Sequence, residues 1–293
     1  GTLGINTDAG DIVDERLNIT LQPQVSVVLM DQYTGHVKAI VGGRGAKTTS
    51  LSLNRATASP KQPGSCFKVL STYAPGLNEC GMTLATTIKD EPYRYASGQP
   101  VNNWDNKYIG SARVRYAIEH CMNVCAVRTL TETVGLEKGY KYLENFGFTT
   151  LVNNDPNYPG MSDIAQATAL GGITRGVYNI EMTAAYAAIA NSGIYTEPLL
   201  YTEILDHDGN VLIDNSKPIT RRVLKESTAF LLTSAMQDVI NRGTGTPARL
   251  NNMPAAGKTG TTENSTDLWL SAYTPYYTCS VWTGYDEDKT LEQ

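Results

Sequence analysis

A proline and a glycine in succession, Pro63-Gly64, stand directly ahead of Ser65-Cys66-Phe67-Lys68 and an apolar, helix-compatible run through Val69, Leu70 and Tyr73. The chain is broken there and restarted as a helix, so Ser65 falls in the first helical turn. Three residues apart, Ser65 and Lys68 share one side of that helix, within hydrogen-bond reach. A serine at the positive end of a helix favours negative charge on its oxygen. A lysine one turn on can take the serine proton, provided burial or neighbouring positive charge keeps it partly deprotonated. The same four letters also fit an N-capping serine followed by an exposed lysine, so the rest of the chain has to decide.

The length of 293 residues allows one large domain or two small ones, and 41% hydrophobic with 18% charged residues describes an ordinary globular protein. A net charge of −5 argues against a general nucleic-acid or anionic-membrane surface, and the 17 tyrosines are too dispersed to form a base-stacking platform. No apolar run reaches the length of a membrane span, and no signal peptide is present. Gly1-Thr2-Leu3-Gly4 reads as the start of a piece excised from a longer chain, so the lack of a targeting segment carries little weight. Five cysteines, Cys66, Cys80, Cys121, Cys125 and Cys279, have no framework spacing and leave at least one thiol unpaired within the chain.

Residues 1–23 read as a lead-in linker. Val25–Met30 and Val37–Val41 then form a hairpin around a Gly-containing turn. Residues 76–110 read as loop-rich. Helical patterns follow from Ser111, from Val124 to Gly135, and over Leu136–Phe146, Asp163–Leu170 and Ile180–Ala190, with glycines as stops. Leu200–Leu205 and Val211–Asp214 predict a second hairpin, and Lys225–Asn241 a long amphipathic helix. Strands return at Ala255–Thr261, Leu268–Tyr273 and Thr278–Tyr285. Strands first, helices in the middle and strands last predict an α+β domain over 24–293. Its sheet is built from both chain ends, with a mostly helical subdomain over roughly 76–195.

Three short signals occur in order: Ser65-x-x-Lys68, Cys121-Met122-Asn123 and Lys258-Thr259-Gly260-Thr261. S-x-x-K, S-D-N and K-T-G together mark penicillin-binding proteins and class A β-lactamases. With these motifs, Leu170–Gly176, and Gly257–Thr262 ahead of Asp267-Leu268-Trp269, the chain resembles the transpeptidase domain of a class A (bifunctional) penicillin-binding protein. The resemblance covers most of residues 24–288 and departs at one place, where Cys121 stands for the serine of the middle motif. It implies the β-lactamase/DD-peptidase-like fold, an antiparallel sheet flanked by helices, and no cofactor or metal. It further implies attack by Ser65 on a stem peptide ending D-Ala-D-Ala, with Lys68 as general base and covalent inhibition by β-lactams. The Ser65 and Thr261 amides would form the oxyanion hole. Lys258, Thr259 and Thr261 (with Gly260 between them) would hold the terminal carboxylate, and Asn123 a side-chain amide of the donor. Cys121 would relay a proton to the leaving amine, although a thiol is the weaker hydrogen-bond donor. The expected partners are peptidoglycan stem peptides, β-lactams and other cell-wall synthesis and division proteins, not nucleic acid. The expected location is the outer face of a bacterial plasma membrane, tethered through a segment outside this sequence.

Other readings compete. Ala255–Gly260 has the letters of a phosphate-binding loop, but the required first glycine falls at Asn252 and a β-like run follows. A serine β-lactamase would need a deacylating base, and Glu119-His120-Cys121-Met122-Asn123 has the letters of Glu-x-x-x-Asn in a stretch already taken by the middle motif. A β-lactam sensor or weakly active scaffold of the same fold is a third reading. Cys121 and Cys125, with His120 beside them, could seed a metal site, although a third and fourth ligand are not evident. His36 and His207 fall in turns and read as solvated.

Overall fold

The computed structural model describes residues 22–47, 49–287 and 289–291. The expected lead-in therefore lies outside the described residues, except for Gln22 and Pro23. β1 (Gln24–Met30) and β2 (Val37–Val41) form the predicted hairpin. The middle of the chain supplies α1 (Val114–Glu119), α2 (Asn123–Thr129), α3 (Leu136–Asn145), α4 (Asn179–Ala190) and α5 (Glu226–Asn241). The chain then returns as β3 (Ala256–Thr261), β4 (Asp267–Tyr273) and β5 (Thr278–Gly284). The five strands make one antiparallel sheet in the order β3-β4-β5-β1-β2. Its central seam joins the two ends of the chain, from Gln24 opposite Gly284 to Met30 opposite Thr278.

Strict alternation along β4 and β5 puts Trp269, Tyr273, Ser280 and Trp282 on the covered face. That face carries α4 and α5. α4 is buried almost all round, and its sequence is correspondingly mostly apolar. Of its three buried polar residues, Asn179, Glu181 and Thr183, the first ties it to the sheet: Asn179 Nδ2 donates to Ser26 O and Ser26 Oγ at 3.0 and 2.9 Å and to Ser280 O at 3.2 Å. A buried amide left without such partners would cost about 1–3 kcal/mol.

Four expectations from the pattern need correction. Residues 110–113 are a strand paired with Thr87–Asp90, and the helix begins only at Val114. Residues 76–110 hold, besides loops, the end of the Ser65 helix to Glu79 and a second short ladder, Tyr93–Arg94 with Pro100–Val101. Over Asp163–Leu170 the helix is confined to one tight turn, Gln166–Leu170. The reason is the Asp163 carboxylate, which accepts from Val152 N at 2.8 Å and Thr174 N at 2.7 Å and holds its own end of the segment extended. Finally, Leu200–Leu205 is a strand only from Glu203. Among the described residues no helix is long and apolar enough to cross a membrane.

Candidate active site

The segment carrying Ser65 is not the regular α-helix that its spacing predicts. Gly64–Cys66 is a tight 3₁₀ turn, Lys68–Tyr73 is widened into i→i+5 turns, and α-helical geometry starts at Ala74. Pro75 explains the widening, since it has no N–H to return to Ser71 and its ring crowds the preceding turn. The wide turn is anchored by Phe67, Val69 and Leu70, none of them exposed. Burying such a side chain contributes about 1.5–3 kcal/mol. Both flanks of Ser65 are pinned through carbonyls. Gln62 O accepts from Trp269 Nε1 at 2.8 Å, and Cys66 O accepts from Tyr186 Oη at 2.9 Å.

Glycines set how closely the serine turn approaches β3. Gly64 sits at φ +52°, in the left-handed region, and a Cβ there would lie 2.8 Å from Thr261 O and 3.1 Å from Thr261 N. A Cβ on Gly260 would lie 2.7 Å from Pro63 O and 2.9 Å from Cys66 Sγ. The turn carrying Ser65 is thus held close against Gly260-Thr261 of β3, the edge strand of the sheet.

Between α1 and α2 the chain turns at Cys121, whose φ of +57° is rare for a side chain other than glycine or asparagine. That turn presents both the carbonyl and the thiol of Cys121 to Lys68, whose Nζ lies 2.6 Å from Cys121 O and 3.2 Å from Cys121 Sγ. The same Nζ donates to Asn123 Oδ1 at 2.5 Å. From the opposite side Lys258 Nζ reaches Cys121 Sγ at 3.0 Å and Thr259 O at 2.8 Å. One sulfur therefore stands between two lysines, both with no exposed surface.

The electrostatics follow from that placement. Burial, aided by Lys258, pushes the Lys68 ammonium down to about 8, against the opposing pull of Cys121. Burial alone would push the Cys121 thiol up. Lys258 and Lys68, with a hydrogen bond from the Ser65 hydroxyl, outweigh it and bring the thiol down to about 6. At an effective dielectric of about 20, each such pair is worth about 4 kcal/mol at 4 Å, enough to overcome the desolvation of a soft thiolate.

Four of the expected residues, Ser65, Lys68, Cys121 and Lys258, thus converge. Asn123 joins them as an acceptor for Lys68, while its Nδ2 donates to Asn102 O at 2.8 Å, so its amide is already engaged before any donor peptide. Thr259 pairs with a residue the sequence did not single out, with 2.7 Å between Thr259 Oγ1 and Thr244 Oγ1. Asn103 was also missed. Its Oδ1 accepts from the amides of Asn123 and Val124 at 2.9 and 3.2 Å, capping α2 from a distant loop. Asn103 Nδ2 in turn donates at 2.8 Å to Asp90, a fully buried carboxylate. No local spacing signals these contacts.

The phosphate-loop, lactamase-base and metal readings lose their geometry. Ala256–Thr261 is an edge strand, not a loop opening a helix. The Glu119 carboxylate faces Arg242 Nε at 3.1 Å and His120 Nε2 at 3.4 Å. Cys125 is fully buried with its Sγ 3.9 Å from Met122 Sδ, and His120 stacks on Tyr116 at 4.0 Å between ring centroids. Among the described residues no three histidines, cysteines or carboxylates converge as a metal site would require.

Known proteins resemble this chain over most of its length. Penicillin-binding protein 1A of Clostridium acetobutylicum is 38% identical over 286 residues, covering 94% of this chain and 34% of that protein. Penicillin-binding protein 1F of Bacillus subtilis is 35% identical over 268 residues, covering 89% of this chain and 35% of that protein. The chain thus spans about a third of the length of these relatives. The PonA1 protein of Mycobacterium tuberculosis, solved in complex with penicillin V, superposes with a TM-score of 0.79 at 25% identity, over 92% of this chain and 71% of that one. The family model for the penicillin-binding protein transpeptidase domain matches residues 25–291, and the chain belongs to that family.

Proposed function

We propose that residues 24–291 act as a serine D,D-transpeptidase, cross-linking peptidoglycan through an acyl-enzyme on Ser65 and trapped there by β-lactams. The observation that carries this reading is Lys68. It is wholly buried, held down to about 8, and placed between Cys121 and Asn123 one turn from Ser65. Lys68 takes the Ser65 proton as the oxygen attacks the penultimate D-Ala carbonyl. The Ser65 and Thr261 amides hold the developing oxyanion. Cys121 passes a proton between the lysines and the leaving amine. Lys258, Thr259 and Thr261 receive the substrate's terminal carboxylate at the β3 edge, where Thr244 steadies Thr259. Membership in a membrane-tethered class of enzymes suggests the outer face of the plasma membrane as the working location, with other cell-wall synthesis proteins as neighbours.

Incubation with a fluorescent penicillin, intact-mass analysis and peptide mapping test the reading. A stoichiometric adduct on Ser65, abolished in Ser65→Ala, is the expected result. An adduct on Cys66 or Cys121, or sustained turnover of nitrocefin in place of one stoichiometric burst, overturns it.

A further inference from the structure

The five cysteines differ sharply in their surroundings. Cys66 and Cys125 have no exposed surface, and burial pushes their thiols up to about 11 and about 12. Cys279 is half-buried and raised for the same reason. Cys80 is likewise partly buried, with one surface lysine, Lys138 Nζ, 3.8 Å from its sulfur. Cys121 alone has two lysine nitrogens at 3.0 and 3.2 Å, and it is partly buried, as Cys80 and Cys279 are, with Ser65 beside it. A sulfur held between cations, in a residue that is not fully buried, is the setting in which thiolates react with oxidants, whereas fully buried thiols away from cations are inert.

We propose that Cys121 is a modification site for hydroperoxides, whose oxidation to the sulfenic acid stops acylation of Ser65 and is reversed by a small thiol. The proposal rests on Ser65 being the nucleophile. A sulfur electron pair attacks one peroxide oxygen, an S–O bond forms, and the O–O bond breaks. The departing hydroxide takes a proton from the Lys258 or Lys68 ammonium and leaves as water. Sulfur is oxidised by two electrons and the peroxide is reduced by two. The new oxygen stands among Ser65, Lys68 and Lys258, where the leaving nitrogen of a substrate must be protonated. A thiol then attacks the sulfenic sulfur, releasing water and forming a mixed disulfide. A second thiol breaks that disulfide and restores Cys121.

The purified protein is treated with hydrogen peroxide, and one part is trapped with dimedone and mapped. Another part is assayed for fluorescent-penicillin acylation before and after dithiothreitol. The dimedone adduct is expected on Cys121 ahead of Cys80, with acylation lowered roughly tenfold or more and restored by the reductant. Cys80→Ser should remain peroxide-sensitive, whereas in Cys121→Ser the ratio of rates with and without peroxide should stay near one. Adducts on Cys80 or Cys279 with Cys121 unlabelled overturn the proposal. So does full oxidation of Cys121 with acylation intact, or an equal peroxide loss in Cys121→Ser. If the untreated protein takes no penicillin, the Ser65 reading has failed, and the dimedone map still decides whether Cys121 is the oxidised residue.

Discussion

Cys121 changes the charge balance that Lys68 experiences. A thiolate at 3.2 Å holds a lysine partly protonated, and a serine hydroxyl, which stays neutral, would not. The second-order rate of penicillin acylation, which reports the free enzyme, should rise with pH to a midpoint near the Lys68 value of about 8. Cys121→Ser removes the thiolate, so its midpoint should move to lower pH and its rate at neutral pH should match or exceed that of the native protein. Cys121→Ala, which has no group to pass the proton, should be slower by about tenfold to a hundredfold. A midpoint that stays put in Cys121→Ser would show that the thiol and Lys68 titrate independently. The same two groups also link stability to pH. The Cys121 thiol lies near 9 when unperturbed and at about 6 in the fold, while Lys68 falls from 10.5 to about 8. In both intervals the unfolded chain binds a proton that the folded chain has released, so stability rises with pH. It is fully present above the unperturbed values and lost as pH falls through about 8 and then about 6. Thermal melts between pH 6 and 9 should therefore show Tm climbing with pH, and climbing less in Cys121→Ser, which lacks the lower step.

The turn between α1 and α2 is held mainly from outside itself. Met122, in the N-cap position of α2, makes no side-chain cap, and Asn103 supplies the acceptor instead. Asn103→Ala should cost about 1–2 kcal/mol for the lost cap, and more because the buried Asp90 carboxylate loses a donor. Since α2 begins at Asn123, which accepts from Lys68, acylation should slow along with the drop in Tm. A variant that melts lower yet acylates at the native rate would show that Asn103 serves stability alone. Asn103 and Asp90 also mark where sequence reading stops. The three motifs were legible because each packs its chemistry into three or four residues, and β1, β4, β5 and α5 were legible because their burial follows a single period. Asn103 meets Asn123 across 20 residues and Asp90 across 13, and no local pattern encodes that pairing. The extra strand at Gly110–Arg113 escaped for the same reason. Its one apolar residue, Ala112, falls in helical step with Tyr116 in the helix that follows, and only pairing with Thr87–Asp90 decides between the two. The widened helix after Ser65 had a visible cause in Pro75, but the sequence alone did not say which turn would absorb the strain.

The sheet joins the two chain ends, while one segment of the middle contributes nothing to the core. β1 pairs with β5 along its whole length, so removing residues 22–41 would leave β5 as an open edge above a buried face carrying Trp282 and Ser280. By contrast, every residue of the hairpin Glu203–Leu205 and Val211–Asp214 is exposed, including Ile204, Leu205, Val211, Leu212 and Ile213. The ends of that hairpin already lie side by side, with Asn215 N donating to Thr202 O at 2.7 Å. Replacing residues 203–214 by a short Gly-Ser turn should therefore keep a cooperative melt and an acylation rate within about twofold of native, since surface changes away from packed features rarely exceed about 0.5 kcal/mol. Solubility should improve, because an exposed apolar ladder with free edges favours association. Deleting residues 22–41 should instead abolish both the cooperative transition and penicillin acylation, even though Ser65, Lys68, Cys121 and Lys258 all remain in the chain. Differential scanning calorimetry and fluorescent-penicillin labelling of the two deletions decide the matter. A hairpin deletion that unfolds the protein would mean that the exposed ladder carries stability despite its lack of burial. A 22–41 deletion that still acylates would mean that the site is assembled by the helices and the C-terminal strands without the seam between the two ends.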